Sequence, residues 1–426
     1  MILGQVGQMS MGVVDTIIAG RINTDALAGL GLGSIILWHA MMVLLGVLIA
    51  LDTFFSQSVG AKDNKALRHW LSQALWLAAG LSLLCMIGLW GANFSYRAFA
   101  PSSEANRQFS VYLLNAIWSI PGIFVFFVLQ RYWQAQNRVM FLAAVTIGAN
   151  GLNLAVNLAL GLGWWGFPQW GTAGIAAATV ISRWSMVVIA ILYTASQFQR
   201  NIWSWTGPSI QAQRTLLRLG WPAGGQALSE IGVFAIASLI AGFMGAVQLA
   251  SHHICLTVAA FTYMFSSGVA SAAAVRVGQS IGADNESEAR RAGAVALCLS
   301  GVIMACFSSG YLWFPQEIAS IFTSDSAVIA LTTKLFLVVA IFQIADGLQV
   351  TATGALRGWG NTRAPMKANA IGHFLVGFPI SLICAFLLNW GVLGLWVGLA
   401  AGLICVALLV VRIWFKSPAG TNVTQN

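Results

Sequence analysis

Apolar residues along this chain come in runs of 18 or more, separated by short polar stretches, from one end to the other. Coiled as helices at about 1.5 Å per residue, runs of that length match the hydrocarbon core of a bilayer. Each run therefore predicts a membrane-spanning helix. Twelve spans are predicted, near residues 1–20, 26–51, 71–96, 110–134, 139–163, 169–196, 217–242, 246–275, 289–316, 330–356, 366–389 and 391–414. The expected fold class is an all-α polytopic membrane protein. The first span, starting at Met1 with no basic segment ahead of it, does not read as a signal peptide. It barely reaches across, and a short cytoplasmic leader is expected before it.

A second pattern overlies the first. The stretch from Ile18 to Lys62 recurs without a gap 222 residues later, from Ile240 to Asp284. Ile18-Ala19-Gly20 returns as Ile240-Ala241-Gly242, and Gln57-Ser58-Val59-Gly60-Ala61 as Gln279-Ser280-Ile281-Gly282-Ala283. Each half of the chain holds six predicted spans, an even number, so both halves have the same orientation. Two six-helix lobes related by a pseudo-two-fold axis along the membrane normal are expected, the parallel-repeat arrangement of transporter folds. The predicted divisions are an N-lobe over 1–196, a cytoplasmic connector over 197–214, a C-lobe over 215–415 and a cytoplasmic tail over 416–426. A weaker echo links Gly171-Thr172-Ala173-Gly174 to Gly391-Val392-Leu393-Gly394, where small residues let helices approach closely.

Charge orients the spans. Only 8% of residues are charged, and the net charge of +9 is unevenly placed. Sixteen of the 21 basic residues lie in or beside alternate connections or in the tail, so that face is predicted cytoplasmic and both termini with it. The opposite face has Arg21, Arg97, Arg107 and Lys334, while Arg183 lies inside a span. This placement explains the charge without a nucleic-acid partner. The six cysteines fall in predicted spans with no metal or disulfide spacing and read as packing residues. Gly29-Leu30-Gly31-Leu32-Gly33 has dinucleotide-like spacing but follows no strand, so no cofactor is expected. No nucleophile and base constellation suggests an enzyme.

The residues a bilayer should exclude are the informative ones. Asp15, Glu230 and Asp346 lie well within apolar segments. A carboxylate at mid-membrane depth costs roughly 2.5–3.5 kcal/mol on insertion scales, so it normally faces an interior cavity and handles ions, protons or cationic substrate. The 222-residue offset maps Asp15 onto Ala237 and Glu230 onto Gln8, so these carboxylates break the repeat. Asn153 and Asn157, four apart, share a helical face, and Thr179 offers a hydroxyl at similar depth. With Asp15 they form a hard oxygen set suited to Na+ or to one exchangeable proton. Gln226 lies one turn before Glu230 and Gln349 about one turn after Asp346, each able to orient a carboxylate. His252 and His253 read as packing or anchoring residues. Arg183 reads as either pairing with a carboxylate or snorkelling to the cytoplasmic interface. Asp52 is expected at the cytoplasmic end of its span, close to water.

Several segments together resemble the multidrug and toxic compound extrusion (MATE) family, in its bacterial NorM-like branch. They are Gly12-Val13-Val14-Asp15-Thr16-Ile17-Ile18-Ala19-Gly20-Arg21, Gln57-Ser58-Val59-Gly60-Ala61, Ala274-Val275-Arg276-Val277-Gly278, Gln343-Ile344-Ala345-Asp346-Gly347-Leu348-Gln349 and Leu356-Arg357-Gly358-Trp359-Gly360-Asn361-Thr362. The resemblance implies a twelve-helix antiporter exporting varied, often cationic, organic compounds against inward Na+ or H+ by alternating access. It assigns Asp15, Asn153, Asn157 and Thr179 to an N-lobe cation or proton site, and Glu230 and Asp346 to a C-lobe acidic pair. The short first span and the absence of a proline after Gln134-Ala135-Gln136-Asn137-Arg138-Val139 depart from the family pattern, and neither removes a proposed ligand. A monomer in the bacterial inner membrane is expected. The alternative is a flippase for lipid-linked saccharides, which calls for a cavity rich in Arg and Lys; the buried charges here are mostly acidic.

Overall fold

A computed structural model describes residues 2–99, 103–197 and 206–416. The tail beyond Lys416 and residues 198–205 of the connector lie outside the described residues, as does the side chain of Arg97. Twelve long helical segments follow one another, and no strand forms among the described residues. They are α1 (Ile2–Ile22), α2 (Thr24–Gly60), α3 (Asn64–Phe99), α4 (Glu104–Ala135), α5 (Val139–Gly161), α6 (Thr172–Gln197), α7 (Ile210–Phe243), α8 (Ala246–Gly282), α9 (Glu286–Trp313), α10 (Ser326–Gly358), α11 (Arg363–Leu387) and α12 (Val392–Lys416). The last eleven are each long and apolar enough to cross a membrane. The protein is an all-α, multi-pass membrane protein, as the apolar runs require.

The helix starts follow local chemistry. The Asn23 side chain accepts from the Ala26 amide at 2.7 Å, and Asp325 caps α10 by accepting from Ala327 at 2.8 Å. Such caps satisfy amides that have no partner within the helix. The breaks inside the helices are harder to foresee. Around Ile117–Ser119, α4 tightens into a 3-10 turn just before Pro121, and the Trp184 indole donates to the Trp118 carbonyl there at 3.1 Å. Wider π-helical turns occur at Asn157–Gly161 in α5 and at Ile371–Gly377 and Ile383–Leu387 in α11. Turns of this kind re-aim side chains and recur at functional sites.

The chain divides into two compact units. The first comprises Leu3–Leu51 and Asp63–Arg218; the second takes in Asp52–Lys62 and the chain from Leu219 onward. In the second, Phe336, Phe342, Val339 and Trp396 are buried together, with the Phe342 and Trp396 rings 5.5 Å apart. Burial of this apolar area and its close packing hold the helices in register. His252 joins this cluster, against Trp396 and at 2.9 Å from the Ser238 hydroxyl, a packing position. All six cysteines are free thiols.

The end of α2 differs from expectation. Its polar run Asp52-Thr53-Phe54-Phe55-Ser56-Gln57-Ser58 continues as helix to Gly60, and Asp52 is buried, not at water. An Asp52 carboxylate oxygen lies 3.1 Å from Nε of Arg357 in α10. Thr53 Oγ1 donates to the Arg357 carbonyl at 2.6 Å, and Gln57 Nε2 to the Gly358 carbonyl at 3.2 Å. Polar side chains leave the membrane pattern here because they meet one another inside the second unit.

The same segment packs on its own repeat. A β-carbon at Gly60 would collide with the Gln279 carbonyl, and one at Gly282 with the Gln57 carbonyl. Gly60 and Gln57 are related to Gly282 and Gln279 by the 222-residue offset, so the contact is reciprocal. Only a residue without a side chain allows backbones this close.

Candidate functional site

Asp15 lies in α1, 4% exposed, facing α5 and α6. Asn157 Nδ2 donates to Asp15 Oδ1 at 2.7 Å, and Thr179 Oγ1 donates to Asp15 Oδ2 at 2.8 Å. Asn157 Nδ2 also reaches Asn153 Oδ1 at 3.1 Å. The four residues that sequence spacing grouped thus meet in one buried cluster drawn from three helices. The geometry has a local cause: Asn157 opens the π-helical turn of α5, one helical turn past Asn153. No Lys or Arg forms an ion pair with Asp15 among the described residues. Asn153 Nδ2 and Asn157 Oδ1 are buried with no hydrogen-bond partner among them. An acceptor of that kind, beside a carboxylate that no Lys or Arg contacts, fits a small cation or a protonated group.

Arg183 and Tyr112 complete the surroundings of Asp15. Both lie within electrostatic range of it, and Tyr112 is almost fully buried. Arg183 neither pairs with a carboxylate nor snorkels outward. Its Nη1 donates to the Ser119 hydroxyl at 2.7 Å, at the 3-10 break of α4, and lies 3.7 Å from the Met41 sulfur. Its position one turn after Thr179 was the signal available in the sequence. Nothing in the spacing marked Tyr112.

The second unit holds the other acids. Gln226 Nε2 donates to Glu230 Oε1 at 3.1 Å, within α7. Gln349, expected to serve Asp346 on its own helix, instead has its amide 3.4 Å from Glu230 Oε1, across from α10 to α7, while remaining in reach of Asp346. Asp346 is 7% exposed and feels the Glu230 charge directly. The two carboxyl groups thus share one site with Gln349 between them. Tyr263 of α8 lies within electrostatic range of both and was not foreseen. Gln349 Oε1 and the Thr353 hydroxyl are buried without partners among the described residues.

Eleven helices long and apolar enough to cross a membrane, with buried carboxylates in each compact unit, describe the class of polytopic membrane transporters. The MatE family profile matches residues 1–159 and 222–383. A probable multidrug resistance protein NorM of Pseudomonas putida is 31% identical over 420 residues, covering 96% of this chain and 90% of that protein. The protein of the same name from Xanthomonas axonopodis pv. citri is 33% identical over 416 residues, with the same coverage. The crystal structure of a eukaryotic MATE transporter superposes with a TM-score of 0.85 at 20% identity, covering 100% of this chain and 95% of that one. A Vibrio cholerae MATE transporter gives 0.85 at 16% identity, covering 100% and 96%. At those identities the structural likeness is one of fold. The chain belongs to the MatE family and is a NorM-like transporter, not an enzyme.

Proposed function

We propose that this protein is a multidrug exporter of the bacterial cytoplasmic membrane, moving lipophilic organic cations outward in exchange for inward Na+ or H+ by alternating access, with both termini cytoplasmic. The observation that carries the reading is the buried Asp15, held by Asn157 and Thr179 with no ion-pair partner. A carboxylate placed at such cost inside an apolar helix is suited to bind a proton or Na+. In the second unit two carboxyl groups repel when both are ionised, so the Glu230 and Asp346 pair favours a shared proton or a bound cation, the ion or the cargo. The relatives named as multidrug resistance proteins support organic cargo. Exchange requires that ion and cargo favour different states, since a ligand with equal affinity for both shifts nothing.

The test is efflux of ethidium from energised membrane vesicles carrying an imposed Na+ gradient or an imposed pH gradient, each alone. Efflux driven by one gradient identifies the coupling ion. Efflux under neither, from vesicles with normal amounts of the protein, overturns the exchange reading.

A further inference from the structure

We propose that Arg183 is a fixed counter-cation for Asp15 that turns ion binding at the first unit's site into expulsion of a positively charged cargo. The proposal rests on the exporter reading above and adds a specificity-determining residue to it.

Arg183 occupies the middle of α6, on the face of Thr179, whose hydroxyl holds Asp15. A guanidinium is charged at any physiological pH. Here it is fixed in place: the Ser119 hydroxyl accepts from Nη1, the Met41 sulfur lies beside it, and the neighbouring Trp184 indole is tied to the Trp118 carbonyl. No Asp or Glu side chain forms an ion pair with it among the described residues, and all twelve acidic residues of the chain are described. Arg357 of the second unit is different, because Asp52 neutralises it at 3.1 Å. Asp15, Arg183 and Tyr112 lie within electrostatic range of one another.

The consequence follows from counting charges. With Asp15 ionised, the pair sums to zero and a cationic cargo meets no net repulsion. When a proton or Na+ cancels the Asp15 charge, Arg183 stays, and the interior carries one uncompensated positive charge in a poorly screening medium. A site without Arg183 would then be neutral and would tolerate ion and cargo together. With Arg183 the two exclude each other, which is the differential interaction that coupling needs.

The experiment measures binding of tetraphenylphosphonium and of uncharged triphenylphosphine oxide to the purified full-length protein and its variants. Asp15→Asn stands for the neutralised carboxyl. It should bind tetraphenylphosphonium about tenfold more weakly than the parent, on a Coulomb estimate for one added charge. Adding Arg183→Gln should restore that loss, adding Arg183→Lys should not, and triphenylphosphine oxide should change less than about twofold throughout. If the Gln variant is not monodisperse, Arg183→Met, which keeps the apolar stem beside Met41, takes its place. In vesicles, Arg183→Lys should keep gradient-driven ethidium efflux and Arg183→Gln should lose most of it. No regain of tetraphenylphosphonium binding, an equal regain with Lys, or an equal gain for the uncharged probe overturns the proposal alone. A parent that binds no tetraphenylphosphonium overturns the exporter reading, and the proposal with it.

Discussion

The two units bury acid in different ways. In the first, one carboxylate receives Asn157 and Thr179 on its two oxygens, with an arginine nearby but unpaired. In the second, two carboxyl groups sit together with Gln349 between them, and only neutral amides donate to Glu230. The first site is a single carboxyl group in a preorganised cradle. The second is a pair whose members must accommodate one another. Sites built this way respond differently to mutation: the first should fail when one residue is changed, whereas the second should degrade in steps.

The largest effect tests that contrast directly. Asp15→Asn is expected to lower gradient-driven ethidium efflux by roughly a hundredfold, about 3 kcal/mol, because no second carboxylate stands nearby to replace it. Glu230→Gln and Asp346→Asn should each lower it about tenfold, and the double variant about thirtyfold, short of the roughly hundredfold that independent sites would give. A double variant down by the full product of the two single losses would show that the two acids act independently and do not share a site. Next, Asn157→Ala removes a charge-assisted bond and leaves Asn153 without its donor, costing about 1.5–3 kcal/mol in affinity for the coupling ion, measured by ion-dependent thermal shift. Gln349→Ala should be milder, about 1 kcal/mol, but should weaken the coupling between Glu230 and Asp346 in a double-mutant cycle. Gln226→Ala is expected to change efflux least, by less than about fivefold, since Gln349 still donates to Glu230. An effect of Gln226→Ala larger than that of Gln349→Ala would show that the bridge between the acids is unimportant.

Much of this was legible in the chain. Apolar length gave the helical passes, because a bilayer leaves few alternatives for long apolar runs. The cost of burying charge gave Asp15, Glu230 and Asp346 as candidates, and helical spacing put Asn153 beside Asn157. What was not legible depended on which helix lies next to which. Gln349 and Glu230 meet across 119 positions of sequence, and same-helix spacing pointed Gln349 only toward Asp346. The end of α2 was misread for a related reason. Asp52, Thr53 and Gln57 have the polarity of a segment leaving the membrane, but their partners are Arg357 and Gly358, more than 300 residues away. Polarity along a chain shows that a partner is needed, and water is only one kind of partner. The 3-10 break in α4 and the π turns in α5 and α11 have only Pro121 and Pro379 as advance signs, since such turns depend on packing as much as on residue type.

The reciprocal contact of Gly60 with Gln279 and of Gly282 with Gln57 has a consequence for ancestry. A segment that fits against a second copy of itself, each glycine receiving the other's backbone, has the self-complementarity of an isologous dimer interface. A half-length chain carrying this segment once would already possess a surface matched to its own twin. Duplication and fusion would then have joined two partners that fitted each other beforehand, freeing each half to acquire its own acids.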